Sequence, residues 1–244
     1  PLLVYSLAKD LGEINNDHKL LATSLELHHT YTLIHDDLPA MDDDDMRHNQ
    51  PSSHKVYGEA QAILAGDGLQ ALAFEVISSD DLIDSVTKVR LLNLLSLSAF
   101  KMAEGQSIDL SIISKDVDIE LLNNLHKKKT GSLLNCSVMF GAILNPIISK
   151  KDLSILDSFS NHIGLAYQVQ DDVLDVITSD EILGKRQNSD LVKNKPSYPS
   201  ILGLDESVKK YKSLYQEALD EIAFLSVDEK PLKDLTFKLM KRSF

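Results

Sequence analysis

Six aspartates fall within residues 36–45, a density at which like charges repel one another unless they bind a cation. Pro39 predicts that the preceding helix ends just after Asp36 and Asp37. The turn that must follow can bend Asp42 back toward Asp36, so that two carboxylates share one ion. Mg²⁺ suits this arrangement, because it takes hard oxygen ligands and is usually completed by substrate phosphate. The segment therefore predicts a magnesium site for an anionic ligand.

A second acidic group lies in YQVQDDVLDV, residues 167–176. On a helix its polar side chains fall at i, i+3, i+4 and i+7 and form one stripe: Gln168, Asp171, Asp172 and Asp175. Leu165, Val169, Val173 and Val176 fall on the opposite, apolar side. Like charges at this spacing destabilise a helix by about 0.2–0.5 kcal/mol per pair. The stripe is either a solvated surface or the second half of the cation site.

Positive side chains that could complete a cage around a bound diphosphate are scattered along the chain. The candidates are Arg47, Lys127, Lys128, Lys129, Lys185 and Lys195. Lys129 stands at the start of an uncharged segment, where it could reach into a cavity. Any one of these residues could equally be a solvated cation. Their combination with two acidic helices favours a ligand-binding site.

Three other motifs for metal or nucleotide binding fail on spacing or on their context in the sequence. An EF-hand that began at Asp42 would need Gly and Glu where Arg47 and Ser53 stand. The sequence also lacks the common zinc motifs, a cysteine pair and a helical histidine pair around a glutamate. The GDGLQA motif at residues 66–71 resembles a dinucleotide turn, but the segment before it is typical of a helix rather than a strand.

The composition narrows the class of protein further. The 244 residues carry a net charge of −12, which disfavours binding to nucleic acid or to an anionic membrane. Cys136 is the single cysteine, so no internal disulfide can form and we expect a cytoplasmic protein. Residues 130–149 are uncharged and long enough to span a bilayer, but their polar content favours a buried bundle helix.

The elements that must position these residues are helical throughout. Leucine is abundant and apolar–polar alternation is rare, which predicts an all-α bundle formed by a single domain. A loop over residues 178–200 is long enough to indicate a functional role. The predicted helices cover residues 2–11, 17–37, 57–77, 84–103, 118–144, 151–176, 206–223 and 230–241.

These motifs together resemble those of the polyprenyl synthetase family, the trans-isoprenyl diphosphate synthases, and most of all its bacterial farnesyl diphosphate synthases. IHDDLPAMDDDDMR and YQVQDDVLD resemble its two aspartate-rich motifs. HKKKTGSLL, LAGDGL and LGKRQNSDLVKNKPSYP resemble its phosphate contact, a helix motif and a loop signature. The resemblance runs from Pro1 to the C-terminus. It implies the all-α isoprenoid synthase fold around a deep central cavity, in a homodimer without a membrane span.

The resemblance also implies a metal set of three Mg²⁺ ions. Asp36 and Asp42 would bind two of them and Asp171 the third. Acids that would act through water or support the ligands are Asp37, Asp172 and Asp175. In the reaction that this implies, an allylic diphosphate loses its diphosphate with help from Mg²⁺, and isopentenyl diphosphate attacks the resulting cation.

Substrate-binding roles follow from the same resemblance. Residues that would hold the allylic diphosphate are Arg47, Lys129, Gln168 and Lys185. Thr130 would lie near the reacting carbon, His29 would contact isopentenyl diphosphate, and Lys195 would face the mouth of the site. Tyr31 and Thr32 precede the first acids, where the family sets product length, and the bulk of Tyr31 favours a fifteen-carbon product. Tyr31 could instead be ordinary core packing.

The sequence departs from the family pattern at three places. A Gly-Gly-Lys-Arg segment that helps to bind isopentenyl diphosphate would precede Pro1 and is absent. His48 occupies a substrate-binding position where the family usually has a second arginine. The approach to Gln106 is a few residues short, which predicts a discontinuity between Phe100 and Lys101. The alternatives left open are therefore a geranylgeranyl diphosphate synthase, a catalytically silent subunit that binds prenyl diphosphates, and a terpene cyclase.

Overall fold

The computed structural model describes residues 1–8, 15–177 and 195–242, and these parts form an α-helical bundle. The helices are α1 (Leu2–Ala8), α2 (Asn16–Asp36), α3 (Ser53–Tyr57), α4 (Glu59–Ser78), α5 (Ser85–Ser111), α6 (Ile119–His126), α7 (Ser132–Leu144), α8 (Lys150–Ile177), α9 (Tyr198–Leu202), α10 (Leu204–Ile222) and α11 (Lys230–Met240). A π-helical turn, Lys127–Gly131, joins α6 to α7. Strands β1 (Met46–Arg47) and β2 (Gln50–Pro51) form a small antiparallel hairpin, with Met46 opposite Pro51.

Several helices begin where a polar side chain caps the first turn. The side chain of Asn15 accepts a hydrogen bond of 3.0 Å from the backbone N–H of His18 at the start of α2. Asp84 and Asp118 do the same at the starts of α5 and α6. Such caps satisfy N–H groups that have no partner within the helix.

The core consists of two apolar clusters on either side of α7. One cluster lies among α7, α8 and α10 and includes the fully buried rings of Phe159 and Tyr215. The other joins α2, α4 and α5 to α7 and includes Leu21, Leu91 and Phe140. Because α7 contributes to both clusters, the prediction that residues 130–149 contain a buried bundle helix is confirmed.

Glycines allow the π-helical turn to pack tightly between α5 and α8. A Cβ atom on Gly105 would lie 2.3 Å from the backbone nitrogen of Lys129. A Cβ atom on Gly164 would lie 3.0 Å from the Cα of Gly131. Contact at this distance leaves no room for a side chain, so these glycines set how closely the turn approaches its two neighbours.

The helices predicted from the sequence agree with the described structure except at a few boundaries. Helix α5 runs without a break through Phe100 and Lys101 and ends at Ser111, so the predicted discontinuity and the predicted end at residue 103 are both wrong. The predicted loop 178–200 extends into the first residues of the short helix α9, while residues 178–194 lie outside the described parts. The 66–71 motif lies inside α4, which confirms that it is not a dinucleotide turn.

Candidate active site

The first acidic segment folds back on the end of α2. The backbone N–H of Asp42 donates a hydrogen bond of 2.9 Å to the carbonyl oxygen of Asp36, the last residue of the helix. Partial burial raises the pKa of Asp36 to about 6; Lys129 opposes this rise and the charge of Asp42 adds to it. The turn predicted from Pro39 is therefore confirmed, and it places the backbones of the two acids side by side.

Two lysines and two aspartates form a charged cluster beside this turn. Lys195 Nζ lies 2.8 Å from Asp42 Oδ1 and 2.9 Å from Asp109 Oδ2. Lys129 Nζ lies 2.7 Å from Asp109 Oδ2 and 4.0 Å from Asp42 Oδ2. The interpretation of these two lysines as merely solvated is thus wrong, because both face the acids.

Burial and the two ammonium groups act in opposite directions on Asp109. Burial alone would raise the pKa of this carboxyl, but Lys129 and Lys195 hold it below its usual value. In return, Asp109 and Asp42 raise the pKa of Lys195 although its burial would lower it. Both members of the pair are therefore charged at neutral pH.

Two consecutive side chains of the π-helical turn contact the two acidic motifs. Lys129 contacts Asp109 and Asp42, whereas the hydroxyl of Thr130 donates a hydrogen bond of 2.8 Å to Gln168 Oε1 on α8. Widened turns of this kind occur often at functional sites because they redirect neighbouring side chains. The two motifs, far apart in the sequence, are thus joined through one dipeptide.

The stripe on α8 is largely buried, so its interpretation as a solvated face is wrong. Asp172 and Asp175 are only 4% and 3% exposed. Asp172 Oδ2 accepts a hydrogen bond of 3.0 Å from the backbone N–H of Tyr198 and lies 3.5 Å from His126 Nε2. The rings of His126 and Tyr198 stack at 5.7 Å. Asp172 therefore ties α8 to α6 and α9.

Asp171, on the next position of the stripe, contacts the C-terminal part of the chain. Arg242 Nη2 lies 2.9 Å from Asp171 Oδ1, and the guanidinium carbon lies 3.9 Å above the ring of Tyr167. Stacking on an aromatic ring fixes the plane of an arginine and adds an attractive cation–π interaction. The guanidinium group of Arg242 therefore already contacts Asp171, which is the acid expected to bind metal.

Arg47 is held by Asp37, which is 2% exposed. The guanidinium binds this carboxylate through Nε, at 3.1 Å from Oδ1, and through Nη2. Burial would lower the pKa of Arg47, but the hydrogen bonds and charge of Asp37 raise it. Asp37 therefore positions Arg47 at the edge of the acidic segment.

His29 lies near Arg47 and His48. The surrounding protein partly desolvates its ring and lowers its pKa; Glu26 opposes this, whereas His48 and Arg47 act in the same direction. His48 is exposed and has a left-handed backbone, with φ of 49°. These three residues, which the sequence predicts to bind substrate, are near one another in the fold.

The two residues expected to set product length differ in environment. The ring of Tyr31 is held edge-on between His28 and His35, with centroid distances of 5.0 and 5.1 Å. Thr32 is buried, and its hydroxyl donates to the carbonyl oxygen of His29 in its own helix. Gly66 on α4 gives His35 its space, since a Cβ there would lie 2.1 Å from His35 Nε2.

Several residues of this site were missed by sequence reasoning. Asp109 and Gln106 lie one turn apart on α5, in the segment EGQSIDL, and that i, i+3 spacing was the available signal. Within the described parts of the chain, the two buried amide atoms of the half-buried Gln106 have no hydrogen-bond partner. His126, Tyr198 and Arg242 carried no local signal. Lys185, in contrast, was predicted and lies outside the described residues.

Comparisons with known proteins match most of the chain to one family. A family model described as polyprenyl synthetase matches residues 1–230. The chain is 39% identical over 250 residues to the farnesyl diphosphate synthase of Escherichia coli (strain K12), covering 100% of this chain and 84% of that protein. It is 43% identical over 215 residues to the geranylgeranyl diphosphate synthase of Cyanophora paradoxa, covering 86% and 71%.

A solved structure has the same fold. The geranyltransferase from Helicobacter pylori, complexed with magnesium and isoprenyl diphosphate, superposes with a TM-score of 0.87 at 31% identity, over 98% of this chain and 81% of that one.

Proposed function

This chain belongs to the polyprenyl synthetase family, and we propose that it makes farnesyl diphosphate from isopentenyl diphosphate and five- and ten-carbon allylic diphosphates. It has the all-α isoprenoid synthase fold and is a prenyltransferase. One observation carries the proposal: consecutive residues Lys129 and Thr130 contact the two acidic motifs, which places a cation and a hydroxyl dipole between them. We assign residues 1–244 to one polyprenyl synthetase domain.

The residues present fit Mg²⁺. The acidic segment offers only oxygen donors beside the paired backbones of Asp36 and Asp42, and cations already balance its charge. We propose that Asp36 and Asp42 hold two ions and Asp171 a third, with Asp37, Asp172 and Asp175 in support. When bound, Mg²⁺ neutralises the negative charge that develops on the departing diphosphate.

The cationic side chains would bind and orient the allylic diphosphate. We assign this role to Arg47, Lys129 and Lys195, and keep Lys185 as a prediction. As the C–O bond of the allylic diphosphate breaks, its electron pair leaves with the diphosphate, and these fixed positive charges stabilise the product anion. Thr130 and Gln168 present dipoles to the allylic cation, and neither needs to act as a nucleophile.

Isopentenyl diphosphate would then react with this cation. Its double bond attacks the allylic carbon to form the new C–C bond, and a proton is lost to the released diphosphate. We propose that His29, His48 and Arg47 bind its diphosphate, since their side chains share one neighbourhood. Exclusion of water from the site protects the cation from capture by water.

The residues that precede Asp36 on α2 favour farnesyl diphosphate over geranylgeranyl diphosphate as the product. Tyr31 lies five residues before Asp36 on α2, and two imidazole rings fix its orientation. A large ring that cannot rotate away limits how far a growing chain extends. The geranylgeranyl alternative is supported by the relative from Cyanophora paradoxa, and product sizing separates the two.

We propose a homodimer that uses the outer face of α4 and α5. Large apolar side chains are exposed there: Ile63, Leu64, Leu72, Val86, Val89, Leu97 and Phe100. A groove of about 500 Å³ lies between the two helices and is lined by residues including Phe74, Val89 and Leu92. A patch of this extent is typical of an interaction surface.

Among the described helices, α4 is long enough and apolar enough to span a membrane. A second copy of the chain can cover the same face, and we propose this in place of a bilayer. Cys136 is buried, and burial raises its thiol pKa to about 12, so the thiol is chemically inert. We propose a cytoplasmic location because the chain has a single cysteine and thus no disulfide framework.

The function is tested by incubating the protein with Mg²⁺, isopentenyl diphosphate and a five- or ten-carbon allylic diphosphate, followed by product sizing. We expect a fifteen-carbon product. A twenty-carbon product selects the geranylgeranyl alternative, and no elongation at all selects the silent subunit. Asp36→Ala should abolish turnover, whereas Asp81→Ala, an exposed acid between α4 and α5, should leave it intact.

A further inference from the structure

The acids that follow Asp42 face different partners from Asp42 itself. Asp42 contacts Lys195 and Lys129, whereas Asp45 Oδ1 lies 2.7 Å from Nζ of Lys55 in α3. Asp43 has a left-handed backbone, with φ of 51°, which changes the direction of the chain immediately after Asp42. The acids in this run therefore divide into two groups, and the magnesium site described above does not account for the second.

The β-hairpin brings this second group to a histidine. Strands β1 and β2 return the chain so that the backbone N–H of Ser52 donates a hydrogen bond of 2.9 Å to the carbonyl oxygen of Asp45. His54 then lies beside the acids. One ligand atom from each of Asp43, Asp45 and His54 falls within 4.8 Å of the other two.

The histidine distinguishes this group from an ordinary acidic surface. His54 is 7% exposed, and its Nδ1 lies 3.1 Å from the hydroxyl oxygen of the buried Ser52. In the described parts of the chain, no group hydrogen-bonds to its buried Nε2. A buried polar atom without a partner is costly, and a histidine whose other nitrogen is held by a hydrogen bond is oriented for metal binding.

We propose that Asp43, Asp45 and His54 bind a divalent transition-metal cation at a site separate from the magnesium site. Two carboxylates and one imidazole form a mixed oxygen and nitrogen set, which suits ions such as Co²⁺ or Zn²⁺ better than Mg²⁺. Ligand atoms about 2.1 Å from an ion lie at most ~4.2 Å apart. The exposed carboxylates need only small inward movements to reach this spacing.

Lys55 is the counter-ion that such a cation would displace. Its ammonium group holds Asp45 and is itself exposed to solvent, so it can turn away at little cost. An ion bound in its place would join residues 43–45 to α3 through His54. The site therefore links the segment after Asp42 to a helix that takes no part in the diphosphate site.

The test is a calorimetric titration of the full chain with Co²⁺ in excess Mg²⁺, which competes for the magnesium site. We expect one Co²⁺ site and a paramagnetically shifted, solvent-exchangeable imidazole N–H resonance. His54→Gln should remove the resonance and weaken binding at least about tenfold. Asp43→Asn should weaken it similarly, and Lys55→Met should strengthen it.

Matched variants control for charge and for folding. Asp44→Asn removes the same charge from the same segment but lies outside the ligand group, and His18→Gln alters another buried histidine. Both should bind Co²⁺ as the unaltered chain does. Equal affinity in His54→Gln, or equal losses in Asp43→Asn and Asp44→Asn, would overturn the proposal. If His54→Gln does not fold, the comparison of Asp43→Asn with Asp44→Asn decides.

Discussion

The ammonium group of Lys195 lies 2.8 Å from the carboxylate of Asp42, although the two residues are separated by 153 positions in the sequence. Lys195 also contacts Asp109, so one cation joins the acidic segment after α2 to α5. Three residues later, Tyr198 donates its backbone N–H to Asp172 on α8. The short segment from Lys195 to Tyr198 thus connects both acidic motifs.

Replacing Lys195 should affect metal and substrate binding in opposite directions. Lys195→Met removes a cation that competes with metal at Asp42, so Mg²⁺ affinity without diphosphate should rise about three- to tenfold. The same change removes a contact to the substrate diphosphate, so kcat/KM should fall about 100-fold. Calorimetry and steady-state kinetics measure the two effects. Lys127→Met, an exposed lysine nearby, should change neither; a loss of Mg²⁺ affinity in Lys195→Met would contradict the assignment.

Burial lowers the pKa of His28 to about 4, which stabilises the metal-free protein as the pH rises from 4 to 6, whereas Asp36 should lose stabilising free energy over the same range. Its pKa of about 6 in the folded chain exceeds the usual value of 3.8, so the folded state holds the proton more tightly. Its contribution to stability is full below pH 4 and is lost as the pH rises through 6, by on the order of 1–2 kcal/mol.

The free energy of unfolding in urea with EDTA, measured at pH 4.5 and pH 7 for the unaltered chain and for Asp36→Asn, isolates this loss as the difference between the two proteins. Asp36→Asn should remove it. Asp109→Asn is the matched comparison, because the pKa of Asp109 is lowered and its stabilisation disappears only as the pH falls. An unchanged loss in Asp36→Asn would show that another group titrates.

Because Gly105 packs closely against Lys129, adding even a methyl group at this position should strongly destabilise the fold. Gly105→Ala would place Cβ 2.3 Å from a backbone nitrogen, so α5 and the π-helical turn must separate. We expect a destabilisation of more than about 3 kcal/mol and a loss of activity. In Gly68→Ala the added Cβ meets nothing within 4 Å, and stability should instead rise by about 0.5–1 kcal/mol. Thermal unfolding of both variants checks the contrast.

Removing the ring of Tyr31 should lengthen the product. Tyr31→Ala opens the space between His28 and His35, and we expect the main product to shift from fifteen to twenty carbons. Chromatography of the hydrolysed products measures the ratio. Thr32→Ser keeps the hydroxyl that bonds to His29 and should retain the fifteen-carbon product. If Tyr31→Ala makes only the shorter product, this ring does not limit chain growth.

A charge placed on the outer face of α5 should dissociate the proposed dimer. Val89 is 66% exposed and lines the groove between α4 and α5, so Val89→Glu would bury a charge between two copies. Sedimentation velocity should then show a monomer at concentrations where the unaltered chain is dimeric. Phe224→Glu changes a residue that is 70% exposed elsewhere and should leave the dimer intact. Dimers in both variants would place the interface on another surface.

Local features of the sequence determined most of the helices and the first half of the site. Periodicity and capping act over a few residues, so helices such as α2 and α8 could be predicted to within a few residues. Pro39 predicted the end of α2, and the hydrogen bond between Asp42 and Asp36 followed from that turn. The paired aspartate-rich motifs were sufficient to indicate the family.

Only the tertiary structure decided which charges meet. Asp109 does not lie in an acidic motif, so the sequence does not single it out. Lys129 and Lys195, which are 20 and 86 residues away, both contact it. The sequence of α8 shows only an acidic stripe, so Asp172 could be predicted to be solvated. Asp172 is buried because α6 and α9 pack against it. Arg242 reaches Asp171 across 71 positions. Such contacts depend on how separate helices pack, and no local pattern contains that information.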